Sequence, residues 1–294
     1  MGRHRPRAVV AAVVATAALL LALAAGHGAE AASKKRKKKP KPPEPTAVPR
    51  PPDPNRVTIP TADGVSLAAT FRPLAERPSA PAVLLVHDFS RERRDWSALA
   101  PEFAAKGLAT LAIDLRAHGE SMNKNGTLLR ISPRQMSDPN GFPRDVEAAC
   151  RWLRARSPKV GVVGLSLGGN LAVLATARGQ ADAAVVVSAN AERLGPLAGD
   201  LPAAARAVLF IASEDAPQRA ESAKALLTAA AEPKKLLLVP GAAHNLALFE
   251  EHPEAKAAML DWLAGQLGAT PVTTMSAAPA TPTPPPASTP APKS

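Results

Sequence analysis

Three residues far apart in the chain are of the types that acyl-transfer chemistry uses. Ser166 stands in Gly164-Leu165-Ser166-Leu167-Gly168-Gly169, at the end of an apolar run and the start of a helix-like one. A serine hydroxyl is a poor nucleophile unless a base takes its proton. His244, in Gly241-Ala242-Ala243-His244, suits that role, because its loop follows the last apolar run and precedes the last helical pattern. The imidazole needs an anion to fix its tautomer and to stabilise the imidazolium. Ser213-Glu214-Asp215 closes another apolar run; Asp215 is the first choice of acid and Glu214 the alternative. Asp215, just before Ala216-Pro217, also suits a helix N-cap, so a structural role competes with the catalytic one. An oxyanion formed at Ser166 needs N–H donors. Leu167 offers one at the head of its helix and Phe89, in His87-Asp88-Phe89-Ser90, a second. The side chain of His87 fits a brace for that loop better than a reactant.

For these residues to meet, each must lie beyond the carboxyl end of a strand in one sheet. Arg56 to Pro60 and Val65 to Phe71 alternate and are joined by Asp63-Gly64, which predicts a hairpin. From Pro81 the rhythm changes. Apolar runs at 82–86, 108–113, 160–165, 183–188, 207–212 and 235–239 alternate with helical patterns near 95–106, 143–156, 167–178, 216–231 and 253–267. Uninterrupted apolar runs are what parallel strands covered on both faces require. A hairpin leading into such a series predicts an α/β, doubly wound sheet. In that architecture the chemistry lies at strand carboxyl ends, which selects His87, Asp114, Ser166, Asn190, Asp215 and His244. A sharp turn at Ser166 would expose its hydroxyl, and Gly164 and Gly168 would keep side chains from colliding across it.

The composition places this sheet in one domain. Of 32 prolines in 294 residues, eight lie between Pro40 and Pro54 and eight between Pro271 and Pro292, so both flanks are poor core material. The expected domain is 56–268. The net charge of +11 is concentrated ahead of it: residues 1–56 hold twelve Lys/Arg against three Asp/Glu. The domain itself is nearly neutral, which argues against specific nucleic-acid binding. Residues 1–31 read as an export signal, with Arg3, Arg5 and Arg7, an apolar stretch, and Ala29-Glu30-Ala31 as the cleavage site. The alternative is an uncleaved membrane anchor. Residues 32–55 read as a basic, Pro-rich linker whose lysines and arginine at 34–39 suit an anionic envelope polymer or lipid. Residues 269–294 read as a disordered Pro/Thr/Ala tail. The expected location is the periplasm, cell envelope or extracellular space. The one cysteine, Cys150, permits no internal disulfide and sits in the apolar pattern of a helix.

The chain from about Arg56 to Gly268 resembles the α/β-hydrolase family of serine hydrolases. The likeness is carried by Val83-Leu84-Leu85-Val86-His87-Asp88-Phe89, by Asp114-Leu115-Arg116-Ala117-His118-Gly119-Glu120-Ser121, by the Ser166 segment, by the acid after its strand and by Gly-Ala-Ala-His244. It implies an eight-stranded, mostly parallel sheet with an antiparallel second strand and helices on both faces. It also implies hydrolysis of an ester, thioester or amide through an acyl-enzyme, with no cofactor or metal. Asp88 stands where the family usually has glycine. Only about 18 residues separate the runs at 183–188 and 207–212, where lids usually enter, so a minimal lid is expected. The segment from Met122 to Pro143 is a candidate pocket mouth. Arg91, Glu92, Arg93 and Arg94 are expected to form a solvated helix start. The expected function is an exported serine esterase acting on a small-molecule or polymer-borne acyl substrate. The alternative is a catalytically silent binding module tethered by its basic linker.

Overall fold

The structure is a computed structural model, and it describes residues 52–131, 141–192 and 201–272. The expected leader and most of the expected linker and tail lie outside the described residues. So do residues 132–140, within the candidate pocket mouth, and residues 193–200.

Among the described residues, ten strands form one sheet: β1 (Arg56–Pro60), β2 (Val65–Arg72), β3 (Ala82–Val86), β4 (Ala109–Ile113), β5 (Asn123–Lys124), β6 (Thr127–Leu128), β7 (Val160–Leu165), β8 (Ala183–Val187), β9 (Val208–Ser213) and β10 (Lys234–Val239). Their order is β10-β9-β8-β7-β3-β4-β2-β5-β6, with β1 paired to β2. Strands β3, β4, β7, β8, β9 and β10 run parallel, and β2 is antiparallel to β1 and β4. The hairpin at Asp63-Gly64 forms as expected, with Gly64 at φ +86°, a conformation that favours glycine. The sheet exceeds the expected eight strands because Asn125-Gly126 turns a short β5–β6 ribbon that pairs with β2.

The helices are α1 (Ala100–Ala105), α2 (Gly141–Arg154), α3 (Leu167–Ala177), α4 (Leu201–Ala204), α5 (Pro217–Ala229), α6 (Leu246–Glu251) and α7 (Pro253–Leu267). A 3-10 turn at Arg93–Trp96 precedes α1. The single helix expected over 95–106 is therefore split, with Pro101 opening the second piece. The short helix α6 was not anticipated in the loop after β10.

Burial explains the apolar runs. Leu84 and Val86 of β3 face a cluster with Val146, Ala149 and Leu153 of α2, Leu171 of α3 and Leu226 of α5. Val83 and Leu85 face the other way, toward Trp96, Phe103 of α1, and Met259, Leu263 and Leu267 of α7. Both sides of each central strand are thus in core, which is why these strands are almost uninterruptedly apolar. Cys150 is fully buried in the first cluster, and burial pushes its thiol up to about 12. Strand β10 lies at the sheet edge, where Lys234 and Lys235 discourage further pairing. No helix among the described residues is long and apolar enough to cross a membrane.

Candidate active site

Parallel pairing of β3 with β7, with Val86 opposite Gly164, brings the loops after both strands to one end of the sheet. Ser166 follows β7 directly and precedes α3. Its backbone is strained, at φ 49° and ψ −105°, a combination an L-residue rarely adopts. The Ser166 N–H donates to the Val187 carbonyl at 2.8 Å, and its carbonyl accepts from the Asn170 N–H at 3.1 Å. These bonds hold the turn. A Cβ on Gly164 would run into the Gly168 backbone, and a Cβ on Gly168 would lie 2.9 Å from the His87 carbonyl oxygen. The glycine spacing read from the sequence therefore has a steric cause. Leu167 opens α3, so its N–H has no partner within the helix. The positive end of the helix lies beside Ser166.

The loop after β3 is braced from below. His87 is fully buried. Its Nδ1–H donates to the Asp88 carbonyl at 2.6 Å, and its Nε2 accepts from the Leu115 N–H at 3.0 Å. This pattern needs the neutral ring, and burial lowers its pKa to about 4. His87 is a brace, as its sequence context suggests. His118 packs against it, with ring centroids 5.1 Å apart. His118 sets Nδ1 2.9 Å from the Arg116 carbonyl oxygen and Nε2 against the Phe89 carbonyl. The Phe89 N–H, expected to serve the oxyanion, donates instead to Oδ1 of Asp88 at 2.7 Å. A groove of about 490 Å³ opens beside this loop, lined by Phe89, His118, Gly119 and Ile131 among others. Ile131 is one of two exposed large apolar side chains among the described residues.

The loops carrying the candidate acid and base meet through their backbones. The Glu214 N–H donates to the Val239 carbonyl at 2.8 Å, and the Asp215 N–H to the Gly241 carbonyl at 2.9 Å. The Ser213 hydroxyl donates to the Ala243 carbonyl. On the other side, Asn245 follows His244 in a left-handed conformation, φ 56°. Its N–H donates to Ser188 Oγ at 3.4 Å and its Nδ2 to Asp88 Oδ2 at 2.9 Å. His244 therefore sits on a loop tied to the acid loop and to Asp88. Its own side chain is exposed, as are those of Asp215 and Glu214. Among the described residues, the side chains of Ser166, His244, Asp215 and Glu214 make no hydrogen bond to one another. Catalytic hydrogen bonds commonly tighten only around a substrate. Asp215 does not act as the N-cap that competed with its catalytic reading: the cap position is Ala216, without a side-chain bond.

Two other strand-end residues are structural. Asp114 is fully buried and accepts from the Arg93 N–H at 2.7 Å, from the Arg93 guanidinium, and from the Glu120 N–H at 2.8 Å. Asn190 holds the loop after β8, its carbonyl accepting from Asn170 Nδ2 at 3.0 Å. The expectation of a solvated start at Arg91 to Arg94 fails for Arg93. Its side chain is wholly buried, and it also donates to Thr70 Oγ1 at 3.2 Å and Glu120 Oε1 at 2.9 Å. The Arg guanidinium of residue 116 bridges Asp63 at 2.9 Å and Asp145 at 2.8 Å, fixing the Asp114–Ser121 loop to the first hairpin and to α2. Asp88 and Asn245 were not singled out as a pair. They lie 157 positions apart, and no local signal joins them.

The sequence profile described as the Alpha/beta hydrolase family matches residues 83–285. An uncharacterized protein of Mycobacterium tuberculosis, Rv2307c, is 29% identical over 229 residues, spanning 69% of this chain and 76% of the relative. Among solved structures, the dienelactone hydrolase of Anabaena variabilis superposes with a TM-score of 0.52 at 24% identity, over 72% of this chain and 94% of that one. The Pyrococcus furiosus esterase Pf2001 superposes with a TM-score of 0.53 at 18% identity, over 72% and 90%. At those identities the superpositions speak for the fold alone, and the profile match, which covers most of the chain, speaks for the family. The strand order, the strained serine between β7 and α3, and the matched profile agree: the chain belongs to the alpha/beta hydrolase family.

Proposed function

We propose that the protein is an exported serine hydrolase that cleaves a carboxylic ester through an acyl-enzyme. The observation that carries this reading is Ser166, held at φ 49° between β7 and α3 with glycines on either side. Ser166 Oγ attacks the ester carbonyl carbon while His244 takes its proton. The carbonyl oxygen becomes an oxyanion on the Leu167 N–H, with the Phe89 N–H as second donor. Collapse expels the alcohol, which carries off the proton from His244. Water, deprotonated by His244, then attacks the acyl-serine and releases the acid. Asp215 orients the imidazole and stabilises its charged form. Export rests on the leader at 1–31, and residues 34–39 supply a tether to anionic envelope polymer or lipid.

The test is p-nitrophenyl acetate turnover and fluorophosphonate labelling by the full chain. Both are expected to be lost in Ser166→Ala and His244→Ala. Turnover that survives Ser166→Ala overturns the assignment.

A second reading is favoured by one observation, the Asp88 carboxylate on the Phe89 N–H. In it the domain is a silent binding module. It predicts no labelling, with retention on anionic vesicles that is lost when residues 34–39 are deleted.

A further inference from the structure

We infer that Asp88 is a gate on the oxyanion site that sets the rate of acyl transfer, an inference that rests on the serine-hydrolase reading. Three observations carry it. Asp88 Oδ1 accepts the Phe89 N–H at 2.7 Å, the donor proposed above as the second for the oxyanion. Asp88 Oδ2 accepts from Asn245 Nδ2 at 2.9 Å, so the carboxylate is held from both ends. Its backbone carbonyl accepts from His87 Nδ1, which anchors the residue to the buried brace.

One N–H cannot serve a carboxylate and an oxyanion at full strength together. The two acceptors also repel each other at close range. Acyl transfer with both donors therefore requires the Asp88 side chain to rotate away from Phe89. That rotation breaks the bond to Asn245, the residue next to His244. Opening of the oxyanion site thus releases one tie on the loop that carries His244. With the gate closed, the site keeps only the Leu167 N–H. A single oxyanion donor is worth about 100- to 1000-fold in kcat, and part of that factor is withheld by Asp88.

The experiment compares the full chain with Asp88→Gly and Asp88→Asn, each also in a Ser166→Ala background. The readouts are kcat and KM for p-nitrophenyl acetate and the rate of fluorophosphonate labelling. Removing the carboxylate frees the N–H, so Asp88→Gly raises kcat about 10-fold or more with KM little changed. Asp88→Asn keeps an acceptor but loses the charge, and falls between Asp88→Gly and the parent. A purely structural role for Asp88 would give losses, not gains. Ser166-dependent turnover that is unchanged or lower in both variants overturns the gate and leaves the hydrolase reading standing. Turnover that persists in Ser166→Ala overturns the hydrolase reading. Absence of Ser166-dependent labelling in the parent and in both variants overturns both.

Discussion

The replacement of Gly168 by alanine tests whether the packing of α3 against β3 sets the geometry at Ser166. A Cβ built on Gly168 lies 2.9 Å from the His87 carbonyl oxygen and closer still to the Val86 carbonyl oxygen. Both are backbone atoms of β3 and the loop that follows it, so no side-chain rotation can make room. Ordinary contact needs about 3.4 Å or more, so the start of α3 must move away from the Phe89 loop by roughly 0.5–1 Å. Overpacking of this kind costs about 1–3 kcal/mol. In a domain of roughly 200 residues that lowers the melting temperature by about 2–4 °C per kcal/mol. The effect on chemistry is larger, because a displacement of about 1 Å in a reacting constellation costs on the order of 100-fold in rate. The assay is thermal unfolding by circular dichroism together with ester turnover. Gly265→Ala is the control: a Cβ there, in the last turn of α7, meets nothing within 4 Å. Retention of both the melting temperature and the turnover in Gly168→Ala would refute the argument that this glycine is required by close approach.

The control carries its own expectation: Gly265→Ala stabilises by about 0.5–1 kcal/mol, measured by urea unfolding, because alanine loses less backbone entropy in a helix. Arg93→Met leaves Asp114 buried without its main counter-charge, and unfolding in urea should show a loss of about 3–5 kcal/mol; a change under about 1 kcal/mol would remove Arg93 from the core's polar framework. Burial holds the His87 imidazole at about 4, below its unfolded value of 6.5, so between those pH values the unfolded chain binds a proton that the folded chain does not. The stability His87 contributes is therefore present above pH 6.5 and is lost as pH falls to about 4, by an amount on the order of 3 kcal/mol. The check is the difference in unfolding free energy between the parent and His87→Gln, which should shrink across that window; a constant difference contradicts it. Burial of Asp145 raises its carboxyl to about 6, so its contribution runs the other way, lost as pH rises toward 6, and the parent-minus-variant difference cancels it.

Much of the fold could be read along the chain because each strand carries its own signature. Val83 and Leu85 need one apolar layer and Leu84 and Val86 the other, so a two-sided sheet writes itself as an uninterrupted apolar run. The Ser166 turn was equally readable: Gly164 and Gly168 are required by backbone atoms a few residues away or on the adjacent strand, and only glycine satisfies that need. The β5–β6 ribbon and helix α6 were missed because each is too short to show a period. Arg93 was misjudged because its burial is decided by Asp114, 21 positions on, and by Glu120 beyond it.

The sequence by itself determined the order of strands and helices, the strained serine and the candidate acid and base, since these depend on local periodicity and on residue type at a turn. Only the tertiary structure decided which polar atoms pair: Arg93 with Asp114, His87 with Leu115, and Asp88 with both Phe89 and Asn245. Hydrogen bonds and ion pairs act over about 3 Å and are indifferent to separation along the chain. Which amide Asp88 holds therefore depended on how the loops after β3 and β10 come together at one end of the sheet.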